Sequence, residues 1–304
     1  MLNPVHGARI DPKRQHPVLD IRHWEAEFPI GDWRKCDYSV ATPEELARAE
    51  QARRLASVKG PLGPSVPADV FVWSDSPDHE RPWLTRIGGI PWREKGKPWP
   101  KGPDGVPLCF LAQICFVDSK DILAHELPGD VALIFGQWSK GWATIFECGV
   151  LEWSNLKLKE PQDLFDLTWT TELPFKYGGV IHRTVQYTDW RTSDPAFEAA
   201  GFKDGGFFKA EMQATSIGSY SGLPQGWPFE AGDGCSLVAV LSSFSMNGRW
   251  PLVDVPNALV SVDSQGAESQ FSFHKANDLS IHGAGCAYIY RNAKGEFKLQ
   301  TSTS

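Results

Sequence analysis

Apolar and polar positions alternate in short runs over most of this chain, and clusters of turn-forming residues separate the runs. Residues 70–73, 107–117, 130–137, 141–151, 237–244, 257–262, 271–274 and 286–290 each read as a strand bounded by Gly, Pro, Asn or Asp. The last continues into Arg291-Asn292-Ala293-Lys294-Gly295-Glu296-Phe297, where Asn and Gly predict a hairpin turn. One longer stretch has helical spacing. Thr42-Pro43-Glu44-Glu45 supplies an N-cap, a proline at the first helical position and a capping-box glutamate. Leu46, Ala49, Ala52 and Leu55 follow at helical intervals, and Gly60 is a natural stop. Brief helices are predicted at 118–124, 162–166 and 195–200, and residues 60–68, GPLGPSVPA, read as a linker. The expected fold is mainly β with short helices (α+β). An N-terminal arm with one helix spans 1–68, and a sheet-bearing domain spans 69–304.

A weak repeat lies within that domain. Thr85-Arg86-Ile87-Gly88-Gly89 resembles Thr215-Ser216-Ile217-Gly218-Ser219. Each is followed by a Trp-Pro pair, Trp99-Pro100 and Trp227-Pro228, and then by an apolar strand. A further strand follows in each, Val131-Ala132-Leu133-Ile134 and Asn257-Ala258-Leu259-Val260. The spacing predicts two related sheet-bearing halves, about 85–150 and 215–298, packed face to face by internal duplication. A cleft between them is then the default ligand site.

Composition narrows the function. The 304 residues carry a net charge of −7 and a pI of about 5.6, which argues against direct nucleic-acid binding and suits a basic partner. The six cysteines sit singly in apolar runs without a C-x-x-C pair, as reduced core cysteines do in a reducing compartment. The opening MLNPVHGARIDPKRQHP has no apolar signal-peptide core, and no run approaches 18 apolar residues. A cytoplasmic protein without membrane contact is expected.

Catalytic signatures are missing from the sequence. There is no H-E-x-x-H, no P-loop and no G-x-G-x-x-G. Gly218-Ser219-Tyr220-Ser221-Gly222 has the wrong spacing for a nucleophile elbow. No catalytic residue, cofactor or metal is therefore expected, and the chain reads as a binding protein rather than an enzyme. Thirteen tryptophans offer aromatic anchors, and those in Gly/Pro loops, Trp92, Trp99 and Trp227, are the interface candidates. Asp75, Asp78, Glu80, Asp204 and Asp233 are the acidic candidates for contacting a basic partner. The alternative is an enzyme, or a carbohydrate- or small-ligand-binding protein, using the cleft. It draws on Arg86 and Gln113, with His182 and Asp189 as further members of the cluster. Gln113 also has a simpler role open to it, as a buried amide tying down a loop backbone.

Arg86-Ile87-Gly88-Gly89-Ile90-Pro91-Trp92, Trp99-Pro100 and Pro107-Leu108-Cys109-Phe110-Leu111-Ala112-Gln113-Ile114 together resemble the YwqG-like family, a bacterial domain of unknown function. Gly283-Ala284-Gly285-Cys286-Ala287-Tyr288-Ile289-Tyr290 is similar to a second family segment. There, His282 and Ala284 flank Gly283 where the family often has an acidic residue. The resemblance covers about 70–298 and implies a sheet-rich fold with two related halves. It also implies kinship with members that look like immunity proteins against secreted toxins, including nuclease effectors of type VI secretion. The expected function is thus direct binding and active-site occlusion of a cognate, basic protein toxin.

Overall fold

The computed structural model describes residues 8–19, 65–74, 79–139, 142–145, 148–163, 173, 176–187, 215–218, 234–243, 261–262, 268–269, 279, 281 and 286–302. In chain order the first strands are β1 (Ala8–Ile10), β2 (Pro17–Leu19), β3 (Ser65–Ser74), β4 (Arg86–Ile87) and β5 (Cys109–Cys115). Then come β6 (Val131–Ser139), β7 (Trp142–Thr144), β8 (Val150–Ser154), β9 (Tyr177–Tyr187) and β10 (Ser216–Ile217). The last are β11 (Ser236–Ser242), β12 (Ser261–Val262), β13 (Glu268–Ser269), β14 (Cys286–Arg291) and β15 (Phe297–Ser302). All but β12 and β13 belong to one thirteen-stranded sheet, curled as a half-barrel.

The expectation of an α+β fold is corrected to nearly all β. Among the described residues there is no α-helix, and the helix expected at 118–124 is a single 3-10 turn, Lys120–Ile122. The Ser119 hydroxyl is spent on Asp69 rather than on capping the turn, and Leu123 returns to extended backbone, so the turn does not propagate. The described part of the N-terminal arm is not helical either. β1 pairs with β2, and β2 joins the main sheet beside β9 at Val18↔Ile181. The helix expected from Thr42 to Gly60 lies outside the described residues, as does the one at 195–200. β3 begins at Ser65, inside the stretch read as a linker, so a strand crosses the boundary placed between residues 68 and 69.

The centre of the sheet is the antiparallel pair β3–β9. Beyond β9 lie β4, β5, β6 and β8; beyond β3 lie β10, β11, β14 and β15. The two flanks are paired in the same way. Ile87 opposes Ala112 on one side and Tyr177 on the other, while Ile217 opposes Ala239 and Asp69. The register slips between Phe110 and Ala112 in one flank and between Leu237 and Ala239 in the other. The Thr85 hydroxyl accepts from the Cys115 N–H at 2.9 Å, and the Thr215 hydroxyl from the Ser242 N–H at 3.2 Å. Val72 and Val180, directly opposed, mark the midpoint of this arrangement.

Two expectations about the halves are corrected by these pairings. The flanks do not face each other as separate sheets; they continue one sheet edge to edge. They also exchange strands: β4 follows β3 in sequence but pairs with β9, and β10 follows β9 but pairs with β3. The counterpart of β6 is β14, because Ile134 opposes Ala112 as Ile289 opposes Ala239. The segment starting at Asn257 was expected in that place. Its described residues, Ser261 and Val262, pair only with β13.

One sheet face carries the main core, with Phe71, Trp73, Ile87, Ile134, Ile181 and Ile289 all buried. Curling brings the edge strands β8 and β15 together, where Trp153 meets Phe297 edge-on at 5.4 Å. The other face of β5 and β6 presents Phe110, Leu133 and Phe135, covered by Trp83, Trp92 and Trp99. Burial of such large side chains supplies most of the favourable free energy of the fold. β9, the long central strand, gives no strand signal in sequence because Gly178, Gly179, His182 and Arg183 interrupt its apolar positions. Gly179 is required by packing: a Cβ there would lie 2.8 Å from the Phe71 ring. No described helix is long and apolar enough to cross a membrane.

Candidate functional site

β4 and β5 are joined by an irregular connection, residues 88–108. Long connections without secondary structure of their own are uncommon in packed domains and usually carry function. Gly88 and Gly89, at φ 62° and 73°, turn the chain out of the sheet in a conformation that L side chains resist. The Gly88 N–H stays anchored to the Leu111 carbonyl at 2.9 Å.

Two buried polar side chains then brace the loop. Gln113, on β5, accepts the Trp92 N–H at 2.8 Å through its amide oxygen. Its amide nitrogen donates to the carbonyls of Pro82 (2.8 Å) and Leu84 (2.7 Å). Arg93, only 1% exposed, donates to Glu152 of β8 from Nε at 2.7 Å and from Nη2 at 3.2 Å. It also donates to the carbonyls of Lys97 (2.7 Å) and Pro98. Its guanidinium lies 5.6 Å from the centre of the Trp99 ring, within cation–π range. Burial pushes the Glu152 carboxyl up, but hydrogen bonds from Arg93 and Lys97 outweigh that and hold it below its ordinary value. The Gln162 N–H donates to the Arg93 carbonyl and the Lys95 N–H to the Glu160 carbonyl, stitching the loop to the segment after β8.

What the loop exposes differs from what holds it. Residues 94–98 form an exposed rim, and residues 101–107 an exposed tip apart from the half-buried Gly102. The tip is a tight turn. The Gly102 N–H donates to the Val106 carbonyl, the Gly105 N–H to the Gly102 carbonyl, and the Val106 N–H to the Asp104 carboxylate at 3.0 Å. Val106 is held there with 52% of its surface in water, the large exposed hydrophobic among the described residues. Around it the rim is mixed in charge, with Glu94 and Asp104 among Lys95, Lys97 and Lys101.

A second polar cluster fastens the N-terminal strands. The Asp118 carboxylate accepts the main-chain N–H groups of Gln15 (3.0 Å) and His16 (2.7 Å) and lies 2.6 Å from His16 Nδ1. The Thr85 N–H donates to His16 Nε2 at 3.1 Å, so the ring proton sits on Nδ1 and points at Asp118. Nearby, the fully buried Asp69 accepts from Arg183 Nε (2.5 Å), from Arg183 Nη2 (2.9 Å) and from the Ser119 hydroxyl (2.7 Å). Burial raises the Asp118 carboxyl, but the hydrogen bonds from the His16 ring and from the Gln15 and His16 main-chain N–H groups outweigh it and hold it below the usual range. A depressed carboxyl stabilises the fold above its unfolded value, about 3.9, and that stability is lost as pH falls through the lower folded value. Acid denaturation of Asp118→Asn is therefore expected to depend less steeply on pH below about 4 than that of the parent. Identical acid titrations would show that this contact adds nothing. Asp118, His16 and Thr85 are too enclosed for substrate chemistry: His16 and Thr85 are 0% and 1% exposed. Among the described residues no three His, Cys, Asp or Glu side chains gather as a metal-binding group.

The structure brings only some of the candidate residues together. Arg86 and Gln113 are direct cross-strand partners, and both are buried. Gln113, fully buried, is spent on three backbone groups. Trp92 and Trp99 lie in the braced loop, half-buried, with indole N–H groups on the carbonyls of Asn155 (2.8 Å) and Leu108 (2.7 Å). These bonds fasten both rings while part of each stays exposed. Glu80 is exposed just before the loop. His182 is half-buried on β9, and its burial lowers its affinity for a proton. Asp75, Asp78, Asp189, Asp204, Trp227 and Asp233 lie outside the described residues. Arg93 and Val106 were missed from the sequence. The Gly102-Pro103-Asp104-Gly105 turn signal was there to find the tip; nothing marks Arg93, because its partner Glu152 is remote in sequence.

No curated protein matches the chain. A family described as Domain of unknown function (DUF1963) matches residues 85–144, which is β4 through β7 with the whole braced loop; this includes the segments at 86–92, 99–100 and 107–114 that carry the YwqG-like resemblance, but not the one at 283–290.

Proposed function

We propose that this chain is a binding protein of the immunity type, acting in the cytoplasm, and that the loop 88–108 is its recognition face. One observation carries the reading: an irregular loop is held by buried polar bonds while a single apolar side chain, Val106, is presented on a tight turn at its tip. A mere connector needs neither device. A preorganised loop loses little further entropy on docking, and an exposed apolar residue ringed by polar ones is how interface anchors are built. The partner is a cognate protein toxin, and a nuclease effector of type VI secretion is the class that the family resemblance suggests. The net charge of −7 speeds encounter with a basic partner, and occlusion of the active site follows from the bulk of the bound sheet.

The test is co-expression of the full chain with a catalytically inactivated toxin encoded beside it. A stoichiometric complex is expected, with rescue of growth when the toxin is active. Val106→Glu is expected to weaken the complex at least about tenfold while leaving the melting temperature unchanged, because Val106 packs against little in the free protein. Absence of complex and of rescue overturns the immunity reading. A complex indifferent to Val106→Glu moves the interface elsewhere on the molecule.

A further inference from the structure

The N-terminal strands and the loop 88–108 share one chain of contacts, and it runs through Gln15. The side-chain oxygen of Gln15 accepts the Trp83 indole N–H at 3.0 Å, and its carbonyl accepts from the Arg81 guanidinium. Trp83 packs edge-on against Trp92, with ring centres 5.6 Å apart. The two residues flanking Trp83, Pro82 and Leu84, give their carbonyls to Gln113, the same amide that holds the Trp92 N–H. Gln15 is itself fixed by Asp118, which accepts its N–H together with the main-chain N–H and the Nδ1–H of the neighbouring His16. From Asp118 to the loop, every link is a hydrogen bond or a ring contact between half-buried or buried groups.

We infer that residues 11–19 act as a regulatory strap whose docking through Gln15 and His16 sets the order of the recognition loop. The inference rests on the loop being the recognition face. The strap is suited to this because most of its grip is polar, beside the packing of the buried His16 ring against Phe71. It is held by Asp118, Thr85, Trp83 and Arg81, with Arg14 reaching Asp69 at 3.4 Å, and by one parallel contact of β2 with β9. Such a segment opens at much lower free energy than the central strands. When it lifts, Trp83 loses its indole acceptor, and Trp92 loses the fixed ring against which it packs. The loop then loosens around Trp92, while the Gln113 and Arg93 braces and the pairing of β5 with β6 stay in place. A partner or modification that captures the strap therefore weakens toxin binding from a distance, through the entropy of the loop.

The experiment is hydrogen exchange on the full-length protein and on Gln15→Ala, which cuts the link to Trp83 and leaves the backbone bonds to Asp118 in place. Exchange at the amides of Trp92 and Lys95 is expected to quicken about fivefold to tenfold, the equivalent of one lost hydrogen bond, with Ile114 and Leu133 unchanged. Asp118→Asn, which loosens the strap itself, is expected to give the same loop response together with faster exchange at Gln15 and His16. If the strap amides quicken while Trp92 and Lys95 do not, the coupling is overturned and the strap is only a fastening of the chain end. If Asp118→Asn loosens Ile114 and Leu133 as well, Gln15→Ala alone decides. These exchange rates are read without any partner, so a failure of the toxin assignment leaves the result standing. Coupling without any effect of Gln15→Ala on partner affinity overturns the regulatory role instead.

Discussion

Gln113→Leu is expected to lower stability by about 3–5 kcal/mol, because leucine fills the space but leaves three backbone groups without partners. The Trp92 N–H and the carbonyls of Pro82 and Leu84 all lie at the buried root of the recognition loop. Each loses its hydrogen bond without regaining water, and that desolvation is what makes the change costly. Gln113→Glu is expected to be nearly as damaging. It keeps an acceptor for Trp92 but turns the remaining oxygen, as acceptor, against two carbonyls. Urea unfolding of both variants measures this, and a midpoint within error of the parent would mean that the loop roots itself by other means.

Arg93→Met is the second large effect, about 3–5 kcal/mol. Methionine matches the stem of arginine, so little packing is lost. What is lost is the charge that compensates Glu152 and the donors to the Lys97 and Pro98 carbonyls. Lys97 also reaches Glu152, at 2.9 Å, but it is half in water and repays only part of this. The damage is expected to concentrate in residues 94–101, seen as new protease cleavage there before global unfolding. Adding Glu152→Met to Arg93→Met is expected to restore part of the stability, since no buried charge then lacks a partner. A double variant weaker than the sum of its singles would show that the pair is not held together by charge. Arg93→Lys is expected to fall in between, as it keeps the charge without the planar fork.

The sequence made some of these features visible and hid others, for physical reasons. Strands with near-continuous apolar runs, β5, β6, β11 and β14, stand out because burial on both faces selects almost every residue in them. The hairpin at Asn292 is legible because its turn is local. The Asn292 side chain accepts the N–H groups of Lys294 and Glu296, and Gly295 takes φ 84°. β9 is invisible because its place at the centre is decided by neighbours far away in the chain, which accept Gly179 and pair Arg183 with Asp69. The short strands β4 and β10 have no pattern to read at two residues each. Their Thr-x-Ile-Gly similarity did survive, because Thr85 and Thr215 perform the same hydrogen bond. Gln113 shows the limit most plainly. Its polarity within an apolar strand marks it as important, yet whether it meets a ligand or a loop depends on residues 82–92 folding back over it. Arg93 and Glu152 illustrate the same limit from the other side, since each reads alone as an ordinary solvated charge.

The exchange of β3 and β9 between flanks has a kinetic consequence. Each short strand pairs with its own flank on one edge only, β4 with β5 and β10 with β11, and its second edge stays open until β9 or β3 arrives. The β5–β6 and β14–β15 pairs are close in sequence and can form early. The β3–β9 seam joins segments separated by most of the first flank and must wait for that loop to close. Assembly therefore passes through a stage in which two preformed outer ribbons search for a common centre, with the β3 and β9 edges open to foreign strands. A chain emerging from the ribosome exposes β3 until β9 has been made, and during that interval its unpaired edge is open to aggregation.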